Sequence, residues 1–212
     1  QIGNRAFGER IADLAEFEAV KAMQAVLLLA PNVPLLFMGE EWGATQPFCF
    51  FTDFHDELAD AVREGRRREF SKFPEFASEA ARAHIPDPNA LSTFAASRLD
   101  WSVPEQPEHA AWLDYVRGLL RLRHETIAPR LAAIRGGIGE NALIGDRGLQ
   151  VVWTLGDGAR LALVANLGAE PQAGFAVPSG ELIFGNRAGL LEELDQGHLP
   201  GWSVGWFLAR PS

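Results

Sequence analysis

The chain has 212 residues, 47% of them hydrophobic, and carries 19 Lys+Arg against 28 Asp+Glu for a net charge of −9. That length supports a core burying roughly 70% of the unfolded surface, and so acidic a balance repels phosphate backbones, so no nucleic-acid partner is expected. Two lysines with no Gly-x-x-x-x-Gly-Lys string exclude a P-loop, and a single Cys49 excludes an internal disulfide or a cysteine-based zinc site.

In chain order, Ile11, Leu14, Phe17 and Val20 recur at i+3 with charged residues between them, which predicts a helix that turns apolar nearly all round from Met23 to Ala30. Pro31-Asn32 stops it. Val33-Pro34-Leu35-Leu36-Phe37-Met38, ended by Gly39, reads as a strand covered on both faces, the habit of parallel sheets. The apolar stretch Ala25–Gly39 is broken by prolines and is shorter than the ~20 residues of a membrane span, so no membrane partner is expected. Residues 43 to 108 lose any dominant period, with clustered phenylalanines and prolines, and read as a functional excursion. A helix is predicted over Pro107–Glu125, with Arg117, Arg121 and Arg123 in its latter half, where the dipole favours cations. Leu149–Leu155 and Ala159–Leu167, joined by Gly156-Asp157-Gly158, signal a hairpin. Phe175–Val177 and Leu182–Phe184 are shorter strand candidates, and Trp202–Leu208 alternates as a final strand with one face inward. The whole reads as an α/β segment followed by a small antiparallel sandwich.

Few motifs carry chemistry. Gly201-Trp202-Ser203-Val204-Gly205 has the Gly-x-Ser-x-Gly spacing, but no acid or His follows it and the alternation makes it strand interior. The five histidines show no paired ligand spacing, and Asp53-Phe54-His55-Asp56 reads as a helix cap before it reads as a metal site, so no metal is expected. The run Arg66-Arg67-Arg68 is either a solvated face or supplies a guanidinium to a carboxylate lining a site. Gly39-Glu40-Glu41-Trp42 closes the buried strand at the end where α/β barrels place functional groups. Adjacent residues there point to opposite sides, so Glu40 and Glu41 do not form a glycosidase carboxylate pair. Either one lines a site while the other anchors the loop, or both are structural; Trp42 either offers a sugar-stacking face or covers the barrel end.

Gln1-Ile2-Gly3-Asn4-Arg5-Ala6, the run Val33–Trp42, Pro47-Phe48-x-Phe50-Phe51-Thr52-Asp53, Gly65-Arg66-Arg67-Arg68-Glu69-Phe70 and the closing Leu199–Val204, taken in order, resemble the C-terminal part of the malto-oligosyltrehalose trehalohydrolase family, within the α-amylase superfamily. Glycogen branching enzymes are the nearest competitor. The resemblance implies the end of a (β/α)8 barrel over 1–128, meaning its last helix–strand–helix units with a long strand-8 loop, and a β-sandwich over 129–212. Residues 9–30 would then cover the seventh barrel helix, Val33–Met38 the eighth strand and Pro107–Glu125 the eighth helix. It implies retaining chemistry by an Asp nucleophile, a Glu acid/base and a second Asp. The last of these is expected one residue before Gln1, so none of the three falls in this chain and the segment alone is expected to be inactive. What carries over is a substrate-site border of Gln1, Asn4, Glu40, Glu41, Trp42 and Asp53, with Arg66, Arg67 and Arg68 as further members. No cofactor is implied; the implied partners are an α-glucan substrate, maltooligosyl trehalose, and the rest of the barrel, in the cytoplasm. A non-catalytic carbohydrate-binding or interaction module remains the alternative from another class.

Overall fold

The computed structural model describes residues 2–132, 134 and 139–211. They fall into two compact units: residues 1–15 with 36–113, and residues 16–35 with 114–212. No helix among the described residues is long and apolar enough to cross a membrane.

The second unit is built on an antiparallel five-stranded sheet, ordered β1-β2-β3-β7-β5. Its strands are β1 (Gly139–Ile144), β2 (Gly148–Thr154), β3 (Arg160–Asn166), β5 (Glu181–Gly185) and β7 (Ser203–Ala209). A two-stranded ladder pairs β4 (Gln172–Ala173) with β6 (His198–Leu199). The predicted hairpin is present: Leu155 N–H donates to the Ala159 carbonyl at 2.8 Å, and Gly158 takes the positive φ of +87° that the tight turn demands. Leu182–Phe184 lies in β5, whereas Phe175–Val177 does not form a strand. Gly174, at φ +99°, turns the chain after β4 and sends Phe175 into the core instead.

β7 departs from the one-sided strand expected. It lies inside the sheet between β3 and β5 and is buried along Ser203–Phe207 on both faces. One face packs Ala162, Val164 and Phe207 against Leu190 and Leu194 of α7 (Leu190–Asp195). Helix α2 (Phe17–Leu29) packs on β7 and has Ala19, Ala22, Ala25, Leu28 and Leu29 buried. Trp153 stacks on fully buried Trp206 at 5.7 Å and 19°. Ser203, in the Gly-x-Ser-x-Gly string, is wholly buried in this strand.

The predicted first helix is split into α1 (Ile11–Leu14) and α2 by Ala15, which is extended at φ −132°, ψ 156°. At the far end Ala30 is also extended, as a residue preceding proline must be. α6 (Pro107–Leu122) matches the predicted helix and closes in a π turn over Arg123–Ile127. Arg123 does not serve its own helix terminus. Buried, it donates to the carbonyls of Leu28, Ala30 and Asn32 at 2.9, 2.5 and 2.6 Å, and so closes the C-terminus of α2.

The doubly covered strand expected at Val33–Met38 is absent. Residues 33–37 carry no ladder partner, and Val33 and Leu35 are 93% and 86% exposed. A parallel strand gains its hydrogen bonds and its cover from neighbouring strands and helices, and no other described segment pairs with this one. The excursion from 43 to 108 carries three helices, α3 (Asp56–Phe70), α4 (Glu79–Ala83) and α5 (Leu91–Ala96), with a 3-10 turn between α3 and α4 and another after α5. No Asp caps α3. The residue before it is His55, which makes no side-chain cap bond, and Asp56 is already its first residue.

Candidate functional site

In the first unit three of the predicted border residues, Glu40, Glu41 and Trp42, form one tight corner. Glu40–Trp42 form a single 3-10 turn between Gly39 at φ +90° and Gly43 at φ +66°. Glu40 Oε2 accepts from the Phe37 N–H and Glu41 Oε2 from the Gly39 N–H, both at 2.9 Å. Both carboxylates thus turn back onto the backbone that leads into the corner and close donors with no ladder partner. Each remains half-buried, and its other oxygen accepts no hydrogen bond among the described residues.

Beneath the corner lies Arg10, only 3% exposed, which the sequence reading did not single out. Its Nε donates to the Gln46 carbonyl at 2.6 Å and Nη1 to that of Met38 at 3.1 Å, with the guanidinium 5.8 Å from the Phe37 ring. Burial lowers its pKa, against the opposing pull of Glu40, Asp13 and Glu41. Among the described residues Nη2 is buried without an acceptor. The only sequence signal was an arginine close behind Asn4, which does not distinguish a buried cation from a surface one.

Trp42 does not offer a stacking face: its ring is 4% exposed, packed with Ala44, Val103, Leu99 and Leu113. The Trp42 carbonyl accepts from His109 Nδ1 at 2.8 Å, which sets that tautomer because a carbonyl can only accept. Trp112 Nε1 donates to the Glu40 carbonyl at 2.9 Å. The exposed indole nearby is Trp101, whose ring centroid lies 5.1 Å from that of Trp42.

Arg66 is no solvated face. It is 8% exposed, with Nη2 donating to the carbonyls of Gly3 (3.2 Å) and Arg5 (2.9 Å) and Nη1 to Glu69 at 2.9 Å. Its guanidinium lies over the rings of Phe50 and Phe70 at 5.2 and 4.6 Å. Its two carbonyl acceptors flank Asn4, an exposed residue, so Arg66 fixes the backbone that presents it. Arg67 pairs with Glu64 at 3.0 Å, and Arg68 is exposed. Gln1 lies outside the described residues.

Asp53 is exposed on a loop fastened from both sides by Asn89, whose Oδ1 accepts from Thr52 Oγ1 at 2.9 Å and from the Phe54 N–H at 3.0 Å. Asp87 in turn holds Asn89 N–H at 3.0 Å and Arg63 at 3.2 Å. Burial raises the Asp87 pKa, but these two donors outweigh it and the net shift is downward. Asp53 makes no hydrogen bond or ion pair to Glu40, Glu41 or Trp42. The structure therefore ties the backbone on either side of Asn4 to Arg66 and sets Glu40–Trp42 over Arg10, but does not bond Asp53 to either group. Cys49 is buried, its thiol pKa raised by burial, with its N–H donating to Ser97 Oγ and its thiol to the Phe7 carbonyl. Among the described residues no three His, Cys, Asp or Glu side chains are placed to share a metal ion.

Residues 136–206 match the family model of a domain of unknown function (DUF3459). The malto-oligosyltrehalose trehalohydrolase of Deinococcus radiodurans is 41% identical over 176 residues, 82% of this chain and 28% of that protein. The protein of the same name from Mycobacterium tuberculosis is 35% identical over 188 residues, 86% of this chain and 30% of its own length. A crystal structure from Salmonella typhimurium, assigned as an alpha amylase, superposes with TM-score 0.85 and 40% identity over 99% of this chain and 34% of that one. The trehalulose synthase of Pseudomonas mesoacidophila shares the fold at TM-score 0.53 and 20% identity, over 91% of this chain and 38% of that one. The chain thus spans well under half the length of each of these proteins.

Proposed function

Starting from the resemblance of this chain to the C-terminal part of malto-oligosyltrehalose trehalohydrolases, we propose that it forms that part of a retaining glycoside hydrolase. The enzyme hydrolyses the α-1,4 bond next to the trehalose end of maltooligosyl trehalose and releases trehalose. The observation that carries this reading is the unpaired run 33–37, with Val33 and Leu35 bare to solvent, leading into the pinned corner Glu40–Trp42. An apolar run with no ladder partner is what the last strand of a (β/α)8 barrel becomes when its neighbours are not alongside. Phe17, Met23 and Leu27 of α2, apolar and exposed, fit a helix whose outer stripe a further barrel wall covers.

In this reading residues 1–128 complete the barrel and 129–212 form the sandwich. Retaining hydrolysis needs a nucleophile and an acid ~5–5.5 Å apart across the scissile bond. Glu40 and Glu41, each committed to a backbone N–H, do not supply them, and the reacting carboxylates lie outside the 212 residues. This chain contributes a border for the sugar. Gln1 and Asn4 follow the seventh strand, with Asn4 set in place by Arg66. Glu40 and Glu41 accept hydroxyl protons through their second oxygens at the end of the eighth strand, beside Trp42. Asp53 and the run Arg66–Arg68 belong to the long loop above. No cofactor takes part.

The test is to express the chain with the coding sequence upstream of Gln1 and to analyse products from maltooligosyl trehalose. Free trehalose from the longer polypeptide and none from the 212 residues is the expected result. New α-1,6 branches would assign a branching enzyme instead. Glucan binding without turnover would leave a carbohydrate-binding module, and trehalose from the short chain would overturn the placement of the reacting groups.

A further inference from the structure

A cleft of about 470 Å³, within the range typical of small-molecule sites, is lined by Glu64, Arg67, Arg68, Ser71, Glu79 and Arg82 from α3, α4 and the connection between them. Three arginines meet two glutamates here, in a chain that is acidic as a whole. The arginines are held in place without being saturated. Arg67 Nη1 donates to Glu64 at 3.0 Å, while its Nε–H is buried with no acceptor among the described residues. Arg82 Nη1 is shared between the carbonyls of Phe76 and Ala77 at 2.8 and 2.7 Å, which fixes the side chain, and its other nitrogens donate to no described residue. The Arg68 guanidinium makes no ion pair or hydrogen bond to any described residue, although its own carbonyl accepts from Ser71 Oγ at 2.7 Å and steadies the end of α3.

The two acids differ in the same way. Glu64 is neutralised by Arg67 and, at 3.9 Å, by Arg63. Glu79 pairs with no described cation. A cavity with surplus guanidinium donors and one open carboxylate suits a ligand that is rich in acceptors at one end and carries hydroxyls at the other. Guanidinium forks match the oxygens of a phosphate, and a lone carboxylate accepts from a hydroxyl.

We propose that this cleft binds a small phosphorylated, hydroxyl-bearing metabolite, with Arg67, Arg68 and Arg82 on its phosphate and Glu79 on a hydroxyl. The cleft shares no lining residue with the Glu40–Trp42 corner; it draws Arg67 and Arg68 away from the sugar border proposed above, and it does not rest on the glycosidase reading. Isothermal titration calorimetry on the 212-residue chain tests it, with inorganic phosphate and glucose 6-phosphate as probes and glucose as control. Both phosphates bind saturably, glucose 6-phosphate more tightly, and glucose gives no heat. Arg68→Ala, at an exposed and unpartnered position whose intact fold circular dichroism verifies, weakens both phosphates tenfold or more. Glu79→Ala tightens inorganic phosphate and narrows the advantage of glucose 6-phosphate. Arg117→Ala, at an exposed arginine elsewhere that pairs with Asp114, leaves both unchanged. The proposal is overturned by absence of saturable phosphate binding, by unchanged affinity in Arg68→Ala, or by an equal loss in Arg117→Ala, which would mark a general charge effect.

Discussion

Replacing Arg123 by methionine removes three hydrogen bonds from the end of α2 while keeping most of the side-chain volume. The Leu28 bond is fully buried, so its carbonyl then has no donor and cannot recruit water; such a group costs about 1–3 kcal/mol. The Ala30 and Asn32 carbonyls are only partly buried and recover some solvation, at about 1 kcal/mol each. Burial lowers the Arg123 pKa, which measures a desolvation cost the substitution relieves and which offsets part of the loss. The net expectation is a loss of about 3 kcal/mol. With a urea dependence of about 2.5 kcal/mol per molar for a chain of this size, the midpoint falls by roughly 1–1.5 M. Far-UV circular dichroism in urea reads this directly. Arg123→Lys is intermediate, because one ammonium cannot span three carbonyls set by a planar fork. A loss under about 1 kcal/mol in the methionine variant, the worth of one ordinary hydrogen bond, would refute the claim that Arg123 closes the helix that leads into Val33.

Gly39→Ala places a Cβ 2.7 Å from Ala44 Cβ and 2.9 Å from a Leu99 methyl, at a φ of +90°, and is expected to destabilise by about 2–3 kcal/mol; thermal denaturation measures it, and an unshifted melting temperature would show that the corner yields. The Asp87 pKa is depressed, so its hold on Asn89 and Arg63 is complete above the unfolded carboxylate value of about 3.9 and is lost as pH falls through the lower folded value. The Phe54 amide, tied to Asn89, should then lose hydrogen-exchange protection on acidification in the native chain, and should already be unprotected at neutral pH in Asp87→Ala.

What could be read from the residues alone was short-range. Gly156-Asp157-Gly158 specifies its turn by backbone freedom, Pro31 forces Ala30 to be extended, and the spacing Trp112, Tyr115, Val116, Leu119 writes α6 into a single stretch. The antiparallel, β-rich C-terminal half followed from the same local signals, and so did the resemblance carried by the ordered motifs. Other features depended on what lies opposite in space. Val33–Met38 has a strand's composition, but a strand exists only when another backbone accepts its bonds. Trp42 and Trp101 are the same residue type, yet packing with Val103 and Leu113 buries the first and leaves the second open. Arg10, Arg66 and Arg123 look like surface charges by type; each is buried because distant carbonyls converge on it. A guanidinium's place is set by acceptors far along the chain, and only the folded backbone brings those together.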